Sequence, residues 1–365
     1  MFKWSWRVIM SEFRVNSITN QDGSAGPQIC GVSPFSGTSG VQIPSGPTEF
    51  RRQDGGGRGR GVVAGGYNPY TDTINKFEIP TTGNAVDFGN LNQVLRGPSN
   101  GVSSSTRGLF AGGLGPSSNS NLSVITYVTI SSDGGVNDYG DLTQGRFMIN
   151  GHSNNTRGLF TGGYFVSPSG FVNTIEFTTI ASTGNSQDFG DITGVPKFGT
   201  FGSGSSPTRG VFGGGYFTPS SSTTDVTDIE FITLATLGNS QTFGNITDAR
   251  RDIGGLSSST RAIFAGGTNG PGDPNSNNVI DFVTIASLGN ATDFGDMAEG
   301  GRNRPGCASN SIRGCFAGGR ISGSHVDSIS FLTIATTGNT ADFGDLTYSL
   351  YELGGFSDSH GGLAQ

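Results

Sequence analysis

Along the chain, short apolar and aromatic runs alternate with glycine-bounded polar stretches, and the alternation itself recurs. Its clearest copy is TRAIFAGG at Thr260 to Gly267, followed after a loop by VIDFVTIASLGNATDFGD at Val279 to Asp296. Anchored on its arginine, the pattern occurs at Arg60, Arg107, Arg157, Arg209, Arg261 and Arg313, at intervals of 47, 50, 52, 52 and 52 residues. Each copy reads as four short strands. In the fifth they are Ile253 to Ser257, Ala262 to Ala265 (stopped by Gly266 and Gly267), Val279 to Ala286, and Thr292 to Asp296. β-Branched and aromatic residues fill the third strand, as β-propensity favours. Phe282 and Val283 stand side by side there, so apolar groups occupy both of its faces. A strand buried on both faces belongs to a sheet packed between two others.

Repeats of about 50 residues, none able to bury its own apolar face, build stacked or radial arrays. Four strands per repeat with a double-glycine strand end point to an all-β fold, a six-bladed β-propeller. The repeats fall near residues 49–94, 95–144, 145–194, 195–248, 249–298 and 299–347. The first copy lacks an apolar first strand, because Arg51 to Gly55 stands where Ile253 to Leu256 stands in the fifth. The segment Leu350 to Phe356 does carry that pattern. Residues 348–365 are therefore expected to supply the missing strand of the first blade; a seven-bladed array using an N-terminal strand is the alternative.

Residues 1–48 lie outside the repeat. Phe13 to Ile18 alternates like a short strand, Asn20 to Gly23 is turn chemistry, and Gly, Ser and Pro then recur with few apolar residues. Such a segment builds no core of its own and is expected to lie on the propeller, on its own copies in a homo-oligomer such as a trimer, or on a partner. Met10 is a second candidate start beside Met1. The opening lacks an apolar run of signal-peptide length, and no run approaches a membrane span.

Composition narrows the picture further. Glycine makes up 63 of 365 residues and charged residues only 13%, yet 26 phenylalanines supply a core, which argues against a disordered tract. A net charge of −7 without a basic run argues against a nucleic-acid partner. Cys30, Cys307 and Cys315 have neither metal-site spacing nor disulfide-scaffold density. Cys315 replaces the apolar Ile263 of the preceding copy and reads as a buried thiol, with a Cys307–Cys315 bridge possible but not required.

The order strand, double glycine, loop, strand, aromatic, basic residue resembles the kelch repeat. Gly266 and Gly267 match its double glycine, Phe294 stands where that family has tryptophan, and Arg302 lies near the basic residue that opens the next unit. The wording TIASTGNSQDFGDIT at Thr179 to Thr193 resembles repeats in structural proteins of marine tailed bacteriophages, and Phe13 to Val32 is similar to the opening of phage fibre-type proteins. The resemblance implies a virion protein, a tail fibre or other appendage on the particle exterior. Its first 48 residues would join other virion proteins, and its propeller would meet a host-surface glycan or receptor.

Loop lengths separate two ends of the repeat. The third-strand Ile or Leu precedes the fourth-strand aromatic by nine residues in all six copies. From the double glycine to the next strand's Ile the gap is 8, 12, 12, 14, 13 and 10 residues, and from the fourth-strand aromatic to the next arginine it is 18 to 20. The two variable connections emerge at one end, where recognition is expected. Candidate ligand-binding residues there are Tyr67, Tyr70, Tyr164, Phe165, Phe171, Tyr216, Phe217, Asn269 and His325, since aromatic rings beside Asn and Ser suit sugar faces and hydroxyls. The six arginines sit at the opposite end. There they either satisfy a neighbouring blade's carbonyls, or an aspartate such as Asp293, or bind an anion.

No catalytic set is legible. His152, His325 and His360 occupy different places in different copies, without metal-ligand spacing, and no cofactor motif is present. A glycan-processing enzyme on the same scaffold is the alternative, with Asp225 and Asp273 as its loop carboxylates.

Overall fold

The computed structural model describes residues 6–9, 12–15, 59–67, 69–117, 121–166, 169–194, 202–217, 224–270 and 276–363. The chain divides into two compact units, Met1–Arg51 and Arg52–Gln365. In the first, Trp6–Ile9 pairs antiparallel with Glu12–Val15, so the strand expected from Phe13 begins at Glu12. The rest of the expected N-terminal segment, Cys30 included, lies outside the described residues.

The second unit is all-β, and among its described residues the one helical element is the 3-10 turn Gly361–Leu363. Six four-stranded antiparallel sheets follow one another along the chain. The fifth consists of Gly254–Ser257, Arg261–Ala265, Val279–Thr284 and Thr292–Asp296, within two residues of the ends read from its glycines and alternation. The first takes its first strand from the far end of the chain: Gly354–Ser357 pairs with Arg60–Ala64, Val62 opposite Phe356.

The two-sided apolar character of the third strand explains how the sheets pack. Ile280 and Phe282 join one apolar cluster with Phe316 and Leu332 of the sixth sheet, while Val283 and Ile285 join another with Val211 and Phe231 of the fourth. Each sheet is thus covered on both faces, which is where most of the stabilising burial lies.

Near the first strands, packing depends on matched sizes. A side chain of each first strand lies over a residue with little or no side chain in the next sheet's second strand. Phe356 covers Gly108, Val102 covers Gly158, His152 covers Gly210, Leu256 covers Gly314 and Ala308 covers Gly61; a methyl group at any of the first four glycines would strike the covering residue, and at Gly61 it would strike Phe77 and crowd Ala308. The fifth repeat alone has alanine in place of the glycine, Ala262, and there the opposing residue is Gly204. The volume is conserved and its sides are exchanged.

Serines link the same strands. Ser103 N–H donates to Ser153 Oγ (3.0 Å), Ser153 N–H to Ser205 Oγ (3.3 Å) and Ser205 N–H to Ser257 Oγ (2.8 Å). Ser309 Oγ donates to Ser257 O, Ser357 Oγ to Ser309 O, and Ser103 Oγ to Ser357 O. Each serine stands four residues ahead of a repeat arginine, except Ser357, which fills the first sheet's vacancy.

At the outer strands the DFG and TGN motifs meet. The DFG aromatic carbonyl accepts from the next sheet's turn glycine, as in Gly134 N–H to Phe88 O (2.8 Å) and Gly83 N–H to Phe343 O (2.8 Å). The DFG glycine lies on that turn's backbone and has φ near +147° (Gly89, Gly344), a region only glycine enters cheaply.

Candidate functional site

The end of the sheets that carries the arginines is built for cohesion. Arg107 donates to Ile180 O and Ala181 O of the next sheet, Arg157 to Leu234 O (2.8 Å), Arg209 to Ile285 O and Ala286 O, and Arg261 to Ile334 O and Ala335 O. Arg313 reaches Pro80 O (2.9 Å), and Arg60 reaches Ile130 O (2.9 Å). Five of the guanidiniums also lie 4.4–4.8 Å from the centre of an aromatic ring on their own third strand, such as Tyr127 or Phe177. In the first sheet Lys76 replaces that ring, and Arg60 instead pairs with Glu78 at 3.1 Å. These charges are spent on backbone oxygens, which leaves the repeated end poor in groups for a ligand.

The first strands line a half-open cavity of about 30 Å³, with Asn100, Gly151, Ser205, Cys307, Phe356 and His360 among the residues around it. That volume holds about two waters. His360 is buried beside it, 3.1 Å from Ser103 O, and burial lowers its pKa to about 4. His152 is buried against Phe212 and is likewise lowered to about 4 by burial. Cys307 and Cys315 are free, buried thiols, so the possible bridge is not formed; burial pushes Cys307 up to about 12 and Cys315 higher.

The opposite end, where the connections vary, is chemically different. Here, among the described residues, strand-entering connections bridge to the loop after the double glycine: Tyr67 pairs with Tyr351, Arg96 with Leu114, Phe147 with Tyr164, and Arg251 with Thr268. At the corner of the connection sit Met148, Asp252, Arg304 and Glu352, non-glycine residues with φ of 51–59°, aligned with Gly97 at +60°. Left-handed backbone costs a side-chain-bearing residue about 1–2 kcal/mol. It is held by a relay of amides: Met148 N–H to Gly97 O, Gly97 N–H to Glu352 O, Glu352 N–H to Arg304 O and Arg304 N–H to Asp252 O, at 2.9–3.1 Å.

Around that relay the side chains alternate in charge. Arg304 pairs with Asp252 (3.0 Å) and with Glu352, and Glu352 also faces Arg96 at 3.4 Å. Burial, opposed by the two arginines, raises the Glu352 carboxyl above its ordinary range. Arg96 lies 4.7 Å from the Tyr67 ring, 5.8 Å from Tyr70 and 5.9 Å from Phe147. Arg320 lies over Tyr351 (5.5 Å), and His325 stacks flat on Tyr351 (4.4 Å, 11°), its pKa lowered by burial and by Arg320.

A second aromatic group continues the first. Phe147 meets Tyr164 (5.9 Å), Tyr164 meets Phe171 (5.7 Å), and Phe171 meets Tyr216 (5.8 Å). Arg251 lies over Tyr216 (5.0 Å) and donates to Asp225 Oδ1 at 2.6 Å. Burial and the nearby Asp252 raise the Tyr216 phenol.

Of the residues anticipated from sequence, Tyr67, Tyr70, Tyr164, Phe171, Tyr216 and His325 therefore belong to one arc of half-buried rings joined through Arg96 and Tyr351. Phe165 and Phe217 are half-buried on the same two-stranded hairpins, opposite Gly170 and Thr224. Asn269 stands apart, donating to Asp248 Oδ2 at 3.3 Å. Asp225 is engaged on both oxygens, by Arg251 and by Gly270 N–H (2.8 Å); Asp273 lies outside the described residues.

Sequence reasoning missed Arg96, Arg251, Arg304, Tyr351 and Glu352. Arg146, Arg250 and Arg302 each stand eleven residues ahead of a repeat arginine, and each accepts at its carbonyl from the preceding double glycine, as Leu95 does in the second repeat. Arg146 and Arg250 are fully buried in ion pairs with Glu176 (2.6 Å) and Asp281 (2.8 Å), and Arg302 is buried with Glu299. Arg96 stands one residue further on, in the position of Arg251, and lies among the loop tyrosines. Among the described residues no group of three or more His, Cys, Asp or Glu side chains is placed to hold a metal ion, and no helix is long and apolar enough to cross a membrane. No protein-family model matches the chain, and no curated protein matches it.

Proposed function

We propose that the six sheets are the blades of one closed, kelch-like β-propeller, and that the chain is a non-catalytic recognition protein of a virion, a tail fibre or other appendage. Four kinds of contact support closure, since each passes from sheet to sheet and returns from the sixth to the first: Ala308 on Gly61, Ser357 with Ser309, Arg313 on Pro80 O, and the turn of Gly83 on Phe343. The observation that carries the recognition role is the contrast between the ends. One end repeats itself and spends its arginines on carbonyls; the other gathers tyrosines and arginines from unlike loops into one half-exposed arc.

The resemblance of Thr179 to Thr193 to phage structural repeats supports a position on a particle, with residues 1–48 joining other virion proteins or like copies. The ligand is a host-surface glycan or receptor. A glycan-processing activity finds less support, because Asp225 is locked to Arg251 and to a backbone amide. The test has two parts. Antibody labelling should find the chain on the particle exterior, and the purified protein should bind intact host cells without shortening their surface polysaccharide. Release of oligosaccharides, lost on Asp225→Ala, would replace this reading with the enzymatic one.

A further inference from the structure

We infer that the arc takes an anionic polysaccharide, its acid groups held by Arg96, Arg320 and Arg251 and its sugar faces by Tyr67 and Tyr70. The inference rests on the recognition role proposed above and names the class of its ligand. It starts from an asymmetry of exposure within the charge cluster. The Glu352 and Asp252 side chains are 1% exposed and Asp225 is 8%, while Arg96 keeps 22%, Arg304 18% and Arg251 12%. The carboxylates lie beneath and hold the guanidiniums from below, so the charge presented to solvent along the arc is positive. This occurs in a chain whose net charge is −7, so the arc is a positive strip on an acidic protein.

Geometry narrows the class further. Arg96, Arg320 and Arg251 each lie against a tyrosine ring at 4.7–5.5 Å. A guanidinium against an aromatic ring can still donate its remaining N–H groups to the oxygens of a carboxylate or sulfate. Tyrosine beside it offers an apolar face to pyranose C–H groups and a hydroxyl to their oxygens. Three such pairs spread over loops of different blades suit a polymer with repeating acid groups better than one small anion. Each pair alone is weak, and simultaneous engagement multiplies the affinity.

The experiment uses the full-length protein and three soluble polymers: a polyuronate, dextran sulfate and uncharged dextran. Binding to the polyuronate or to dextran sulfate, but not to dextran, is expected, with affinity falling as sodium chloride rises. Preference between the two charged polymers identifies carboxylate or sulfate as the group recognised. Arg320→Gln and Tyr67→Ala should each weaken binding about tenfold or more, the scale of an interface hot spot, and melting curves identify any variant that has lost its fold. Arg107→Gln, at the opposite end, should lower the melting temperature and leave binding unchanged. Equal binding of dextran, or undiminished binding by folded Arg320→Gln and Tyr67→Ala, overturns the inference. Binding to host cells without binding to either charged polymer also overturns it, while leaving the recognition role standing. Binding to the polymers by a chain absent from particles and silent on cells supports the ligand class and removes the virion reading.

Discussion

If the last strand closes the array, Phe356 and Gly108 should be energetically coupled although 248 residues separate them in the sequence. Phe356 is 2% exposed, its ring lies over Gly108 and 4.7 Å from Phe110, and its strand is bound to Arg60–Ala64. Truncation to Phe356→Ala removes a ring that spans two sheets and should cost about 3–5 kcal/mol, the range for buried phenylalanine. Gly108→Ala places a methyl group in space the ring already fills; overpacking of that kind costs about 1–3 kcal/mol. In the double variant the methyl enters the vacated space, so the combined loss should fall short of the sum by roughly 1–3 kcal/mol, the coupling of residues in direct contact. Ala262 opposite Gly204 is the same arrangement already present in the chain. Urea unfolding of the four proteins followed by far-UV circular dichroism gives the cycle. Additive losses, or a Phe356→Ala cost below about 1 kcal/mol, would mean that the C-terminal strand does not lock the first sheet to the second, and the closure argument fails.

Acid should loosen the array. His152 and His360 have folded pKa values of about 4 against 6.5 in the unfolded chain, so the neutral form is the folded one. Their contribution is complete above pH 6.5 and is lost as pH falls toward 4, about 2 kcal/mol per histidine at pH 5; a His360→Gln variant whose stability keeps the full pH slope would contradict this. Arg157→Ala gives up the bond to Leu234 O and the contact with Phe177, a loss of about 1–3 kcal/mol, and melting of the variant measures it. Cys307 and Cys315 should resist iodoacetamide at pH 8 in the native protein and react after unfolding, as peptide mass spectrometry would show. Removing residues 348–365 should leave the first sheet with an open strand edge and give an aggregating protein; a truncated chain that melts like the full one would refute it.

Much of this protein was legible in the chain itself. The four strands of the fifth repeat, their double-glycine stop and the choice of variable end follow from glycine spacing and from alternation over a few residues, because local backbone geometry imposes those patterns directly. Leu350 to Phe356 was legible as a first strand for the same reason: it repeats a pattern found elsewhere, and the first copy lacks one. What the glycine after each repeat arginine is for was not legible. Its necessity lies in a side chain of the preceding sheet, and only the register of two sheets shows that Ala262 is tolerated because position 204 carries no side chain.

The arc was half legible. Aromatic loop residues announce themselves by composition, but the arginines among them do not. Arg96 and Arg251 occupy equivalent positions, each bridged to the residue after a double glycine, yet one lies among three loop rings and the other is paired with Asp225. Nor does sequence mark Asp252, Arg304 and Glu352 as left-handed corners, since none is glycine. Their conformation is held by amides whose acceptors lie about 50 residues away, and their charges matter through neighbours on other sheets. Local pattern determined the sheet; contact between sheets, at separations no local pattern encodes, decided which charges are buried and which face solvent.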